Sequence, residues 1–167
     1  QLTGLLNAAA CRREVESHLA LAGSNRDVAL IVLDLDDFKA VNDSFGHPCG
    51  DYVLKETALR LQSVFPHAIG TARIGGDEFM LALSGTAAEQ IEAAARRLIQ
   101  EVSQIRWRGQ PVGVCCSLGV CRARCPGAAF QAMYEAADQA LYQAKSGGKG
   151  RCVLRELASS ASPASRA

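Results

Sequence analysis

"RIGGDEFM" (residues 73–80) sets two adjacent glycines directly before two carboxylates, and the carboxylates before the apolar run Phe79 to Leu83. Strand, glycine turn, strand is the simplest backbone for that order, because glycine tolerates the positive φ that tight hairpin turns require. A hairpin over Ile69 to Leu83 is therefore expected. Side chains alternate across a strand, so Asp77 and Glu78 are expected on opposite faces, one free for chemistry while the other anchors.

The flanking sequence alternates between α and β patterns. "VALIVLDL" (28–35) is a β-branched apolar run of strand length that ends in acids, and it reads as a buried central strand. From Gly50 onward, Leu54, Ala58, Leu61 and Phe65 fall at helical spacing. Ile91, Ala95, Leu98, Val102 and Ile105 form a second helical stripe. "PVGVCCSLGVC" (111–121) reads as another buried strand. The last helix is expected over Ala128 to Lys145, with Phe130, Met133, Ala137, Leu141 and Ala144 inward and a stop at Gly147-Gly148. These stripes are core, and the layout is that of an α/β fold.

Composition bounds the function. The chain has 167 residues, 49% hydrophobic and 21% charged, which suits one globular domain with room for a real core. A net charge of +1 with both signs interspersed gives no field that would gather nucleic acid or an anionic membrane surface. No apolar segment reaches the length of a membrane span, and the N-terminus lacks the regions of a signal peptide. The domain is expected to be cytoplasmic and without direct membrane contact. Residues 1–155 are expected to form the domain, and 156–167, ending in "ASSASPASRA", a disordered tail. "QLTGLLN" starts abruptly inside a helix start, so the chain reads as part of something longer.

Seven cysteines raise the questions of zinc and disulfides. Cys115 and Cys116 are adjacent, Cys121 and Cys125 form a single x3 pair, and Cys11, Cys49 and Cys152 are scattered. No second pair completes a four-ligand set, so reduced cysteines acting as small apolar residues are expected.

Chemistry gathers first in "DLDDFKAVNDSFGHPCGD" (34–51). Asp34, Asp36 and Asp37 at the C-terminal end of a buried strand suit a divalent cation, beside a loop left open to substrate. An EF-hand loop would need an oxygen ligand and then glycine where this chain has Phe38 and Lys39. A haloacid dehalogenase-like phosphatase would use Asp34 as nucleophile and Asp36 as acid, but its downstream motifs cannot be placed. A solvated acidic strand end is the plain alternative. The hairpin weighs against it: if its strand pairs beside the first, Asp77 approaches Asp34, and the two carboxylates repel unless a cation lies between them. Magnesium on two carboxylates, completed by triphosphate oxygens, is a recurring nucleotidyl-transfer arrangement.

"RIGGDEF", with "LTGLLN" before it, "DLDDFKAVNDSFGHPCGD" between and "ADQALYQAKSGGKGR" after it, resembles the GGDEF domain family of diguanylate cyclases over Leu2 to Arg151. The resemblance implies a central mixed β-sheet flanked by helices, similar to nucleotide cyclase and polymerase palm domains. It implies condensation of two GTP molecules into cyclic di-GMP and pyrophosphate, with Mg2+ as cofactor and Mn2+ as its substitute. By the same resemblance, Asp34, the backbone carbonyl of Leu35, and Asp77 would hold the metal. Asp77 and Glu78 would be the catalytic acids, Glu78 in a supporting role. Gly75 and Gly76 would let the α-phosphate approach the backbone. Asn42 and Asp51 would read the guanine edge, because a carboxylate accepts from both N1–H and the 2-amino group. Phe38 and His47 would help shape that pocket, and Lys39, Lys145 and Lys149 would meet the phosphates.

One domain would hold one GTP, so the resemblance also implies a homodimer, brought together by a sensory or regulatory region N-terminal to Gln1. The other function class is a GTP-binding regulatory module that keeps the fold without turnover. Intact Asp34, Asp77 and Glu78 favour the enzyme.

Departures from the family pattern are informative. An Arg-x-x-Asp product-inhibition site often lies five residues before the glycine pair; here that stretch is "PHAI", Pro66 to Ile69, so no such site is expected. Ala8 replaces a common arginine, which removes an anchor of the first helix. Lys149 and Gly150 stand where arginine and asparagine are frequent, and lysine lacks the bidentate fork. His18 and His67 read as surface residues, and no Ser or Cys stands at the spacing of a nucleophilic triad.

Overall fold

The computed structural model describes residues 2–21 and 26–158. A five-stranded sheet carries the fold, in the order β2-β3-β1-β6-β7. Its strands are β1 (Arg26–Asp36), β2 (Gly70–Arg73), β3 (Glu78–Ser84), β6 (Cys115–Cys125) and β7 (Cys152–Glu156). Neighbouring strands are antiparallel except β6 and β7, so the sheet is mixed. β1 is central and apolar on both faces, with Val28 to Asp36 all buried. That explains why its sequence runs continuously rather than alternating.

Each face packs against helices. Ile31, Leu33, Leu35, Phe79 and Leu81 form one core with α3 (His47–Val64) and α4 (Ala88–Ser103). Leu30, Val32, Met80 and Cys121 form the other with α1 (Ala8–Leu21) and α5 (Phe130–Ser146). The residues expected inward on α5 are all buried. At Gly119 of β6 the helix backbone lies directly on the strand: a Cβ there would stand 2.0 Å from the Ala137 carbonyl oxygen and 2.2 Å from the Leu141 nitrogen. This close seating brings the end of α5 over the end of β1.

The structure revises several boundaries. α3 begins three residues before Gly50, at His47, and a further helix, α2 (Phe38–Phe45), occupies what reads as a loop. The apolar run 111–121 is not one strand. β6 begins at Cys115, after Gly113 at φ 74°, and continues to Cys125. Ahead of it lies a small hairpin, β4 (Arg106–Trp107) and β5 (Gln110–Pro111), turned by Arg108 and Gly109 at φ 50° and 83°. Two left-handed residues in succession form the turn whose twist matches paired strands. β7 carries the fold through Glu156, and the Leu157 N–H donates to Arg122 O at 2.7 Å, so the first residues of the expected tail are part of the domain. The remainder of that tail, 159–167, lies outside the described residues.

Other expectations are met or refined. All seven cysteines are free and five are buried. Despite Ala8, α1 is anchored, because the Asn7 side chain accepts from the Ala10 N–H at 2.8 Å and Cys11 and Val15 are buried. His67 is exposed as expected, but His18 is half-buried, with Nε2 3.0 Å from Ser84 Oγ. No helix among the described residues is long and apolar enough to cross a membrane.

Candidate active site

β1 and β3 end together, and their register places the acids. Asp34 pairs directly with Glu78, while the Leu35 N–H donates to the Asp77 carbonyl at 3.1 Å. The acid facing Asp34 is thus Glu78, one residue beyond the expected Asp77. Asp77 precedes β3 and belongs to the turn, so strand alternation does not separate it from Glu78. Burial raises the pKa of Asp34, which the Lys145 ammonium counters and the Asp77 and Asp36 charges reinforce. Glu78 is raised by burial, then by Asp34 and Asp77. The Asp77 charge is thus close enough to oppose ionisation of both Asp34 and Glu78.

The glycine turn works differently from its simplest reading. Neither Gly75 nor Gly76 has a positive φ. Gly75 is the crowded position: a Cβ there would stand 2.4 Å from Glu78 Oε2, because the glutamate folds back over the turn, and its carboxylate would have to move aside. A Cβ at Gly76 would meet nothing within 4 Å, so that position is open. Arg73 holds the turn through its guanidinium, with Nε and Nη2 donating to the Gly76 carbonyl at 3.1 and 2.7 Å. Sequence reasoning missed this arginine, although it stands inside the motif.

The end of β1 is fixed from β6 and from the chain after α5. Ser117 Oγ lies 2.9 Å from both Asp36 carboxylate oxygens, and the Gly150 N–H donates to Asp36 Oδ2 at 3.1 Å. Asp36 is therefore satisfied inside the fold. Ser117 was also missed; its signal is a hydroxyl in an apolar strand, which when buried must find a partner. Lys145 Nζ stands 2.7 Å from Asp34 Oδ1, and Lys149 Nζ 2.7 Å from Asp37 Oδ1. Gly150, at φ 56°, occupies a left-handed position that glycine and asparagine both tolerate.

A second group assembles between α2 and α3. A Cβ on Gly50 would overlap Asn42 Oδ1 at 1.9 Å and approach Phe38 Cζ at 3.2 Å. Gly50 thus lets Asn42 and Phe38 press against the helix turn that carries Asp51, whose side chain is exposed. His47 is exposed at the start of α3, and Lys39 is exposed on α2. The structure brings Asn42, Phe38 and Gly50 together.

The donor set fits a small hard cation. Among the described residues no three His, Cys, Asp or Glu side chains cage an ion by themselves. Asp34 and Asp77 offer carboxylate oxygens whose mutual opposition a cation relieves, and Mg2+ normally takes one or two carboxylates and draws its other ligands from water and substrate.

The family profile described as "Diguanylate cyclase, GGDEF domain" matches residues 1–151, which include every acid of this site. The chain is a GGDEF domain. It is 39% identical over 153 residues to diguanylate cyclase DgcP of Pseudomonas aeruginosa, covering 90% of this chain and 23% of that protein. It is 36% identical over 155 residues to cyclic di-GMP phosphodiesterase PdeR of Escherichia coli, covering 92% of this chain and 23% of that protein. Its fold superposes on the coiled coil and GGDEF domain of DgcB from Caulobacter crescentus, solved in complex with c-di-GMP. The TM-score is 0.83 at 32% identity, over 92% of this chain and 83% of that one. This GGDEF domain thus spans under a quarter of the length of either relative, and its mixed sheet flanked by helices is the palm-type arrangement expected.

Proposed function

We propose that this GGDEF domain condenses two GTP molecules into cyclic di-GMP with release of pyrophosphate. The observation that carries the reading is the pairing of Asp34 with Glu78, and Asp77 beside them, at the joined ends of two buried strands. Asp34, the Leu35 carbonyl and Asp77 would hold Mg2+, or Mn2+ in its place. Bound there, the cation supplies charge neutralisation at the α-phosphate and eases loss of the 3′-hydroxyl proton.

The chain's own residues bind and orient. Gly76, open on its Cα, leaves room for the α-phosphate to approach the backbone. Glu78, folded over Gly75, supports the acidic side of the turn. Lys145 and Lys149 at the end of α5, with Lys39 on α2, supply positive charge for the triphosphate. Asn42 and Asp51 take the guanine edge, with Phe38 and His47 shaping the pocket.

A single domain holds one GTP, and each 3′-hydroxyl must attack the other molecule's α-phosphate. The working unit is a homodimer with two-fold symmetry, brought together by a regulatory region elsewhere in a longer protein. The working site lies in the cytoplasm, where GTP is supplied. Neither nucleic acid nor membrane is a partner of this surface. With neither charge of an Arg-x-x-Asp pair in Pro66 to Ile69, product does not inhibit through that stretch.

The competing reading is a GTP-binding regulatory module without turnover; the match to a protein named a phosphodiesterase is what keeps it in view. Mass spectrometry of the reaction of concentrated domain with GTP and Mg2+ separates the two. The proposal expects cyclic di-GMP and pyrophosphate; GTP bound but unchanged, even in a forced dimer, favours the module.

A further inference from the structure

Three successive acids at the end of β1 each take a donor from residues 145–150. Lys145 Nζ lies 2.7 Å from Asp34 Oδ1, the Gly150 N–H donates to Asp36 Oδ2 at 3.1 Å, and Lys149 Nζ lies 2.7 and 2.9 Å from the two Asp37 oxygens. Asp37 and Lys149 both hold left-handed backbones, at φ 57° and 61°, a conformation that side-chain-bearing residues rarely adopt. The end of α5 and the chain after it are therefore a strap fitted to the acidic end of β1.

The Asp34 contact is asymmetric. The carboxylate is 11% exposed and held by a central strand, whereas the lysine is 38% exposed on a flexible four-carbon stem. The partner that can leave is Lys145. A divalent cation on Asp34 would repel an ammonium at this distance, so the two compete for the carboxylate.

We propose that Lys145 is a displaceable internal counter-ion: it holds Asp34 when no metal is bound and is drawn off by the nucleotide's phosphates as the cation arrives. Metal alone then binds weakly, because it must evict the lysine unaided. Metal and nucleotide together bind well, because the phosphates give the evicted ammonium a new partner. Metal and nucleotide affinities are thereby coupled through one side chain. This rests on the reading of Asp34 as a cation ligand and of GTP as the nucleotide.

The test uses the nucleotide-free domain, with Mn2+ titrated alone and free Mn2+ read by electron paramagnetic resonance. Lys145→Met should bind Mn2+ about tenfold tighter than wild type, since a neighbouring positive charge is gone. The same variant should bind 3′-deoxy-GTP in the presence of Mn2+ several-fold more weakly. Unchanged or weaker Mn2+ binding by a variant with a normal melting curve overturns the proposal. Adding Asp34→Asn to Lys145→Met should abolish the gain, and persistence of tight binding also overturns it. Should Lys145→Met not fold, Lys145→Gln, which keeps a donor for Asp34 without the charge, is measured to the same criterion. If Lys145→Met gains Mn2+ affinity while wild type binds no 3′-deoxy-GTP, the counter-ion role stands and the GTP reading falls.

Discussion

Glu78 stands directly across the β1–β3 ladder from Asp34, and burial together with neighbouring carboxylates raises the pKa of both. A carboxyl whose pKa is higher in the folded than in the unfolded protein favours the fold while protonated. That advantage is lost as pH rises through the folded-state pKa. The metal-free domain should therefore lose stability as pH climbs out of the carboxylate range. Glu78→Gln should flatten this dependence and raise the metal-free melting temperature at neutral pH, as thermal melts across pH would record. A variant that melts lower at every pH would contradict the repulsion.

The two glycines of the turn should respond differently. Alanine at Gly75 must push away the Glu78 carboxylate, a flexible side-chain end, so about 1 kcal/mol or less of stability is at stake while the site is disturbed. Alanine at Gly76 meets no protein atom and should leave stability within about 0.5 kcal/mol. Denaturant melts paired with initial rates should find both variants folded and both slowed. A fully active Gly76→Ala would mean that substrate does not approach the backbone there.

Base selection should rest on Asp51, carried beside the Asn42–Gly50 contact. Asp51→Ala should raise the KM for GTP and shrink the preference for GTP over ATP by roughly 100-fold, as expected when the guanine N1–H and 2-amino donors lose their shared acceptor. Parallel kinetics with the two nucleotides check this. An unchanged ratio would move base reading elsewhere.

Much of this domain is written locally. The stripes of α4 and α5 repeat at 3.6 residues, and the continuous run of β1 marks a strand covered on both faces, so their burial follows from periodicity. α2 is short and amphipathic, with one acid and one lysine, and it reads as loop because no stripe longer than two turns marks it. β7 is half-buried from Cys152 to Arg155 and gains its place from parallel pairing with β6, a long-range feature. The identities of the acids were legible, but the register that sets Glu78 rather than Asp77 opposite Asp34 was not. Register depends on how β3 meets β1, and a shift of one residue exchanges the faces. Arg73, Ser117 and the Lys145–Asp34 contact were hidden for the same reason, since each becomes meaningful only once β1, β6, the hairpin and α5 meet.

The central claim is turnover of GTP at the Asp34–Asp77–Glu78 end of the sheet. The most direct test fuses the domain to a dimerising coiled coil, supplies GTP and Mg2+, and compares wild type with Asp77→Ala by mass spectrometry of products, with GTP binding measured alongside. Cyclic di-GMP from wild type, and a loss of at least 100-fold in Asp77→Ala, is the predicted result for removal of a metal-binding carboxylate. Equal product from both, or none from a wild type that binds GTP and is dimeric, would contradict it.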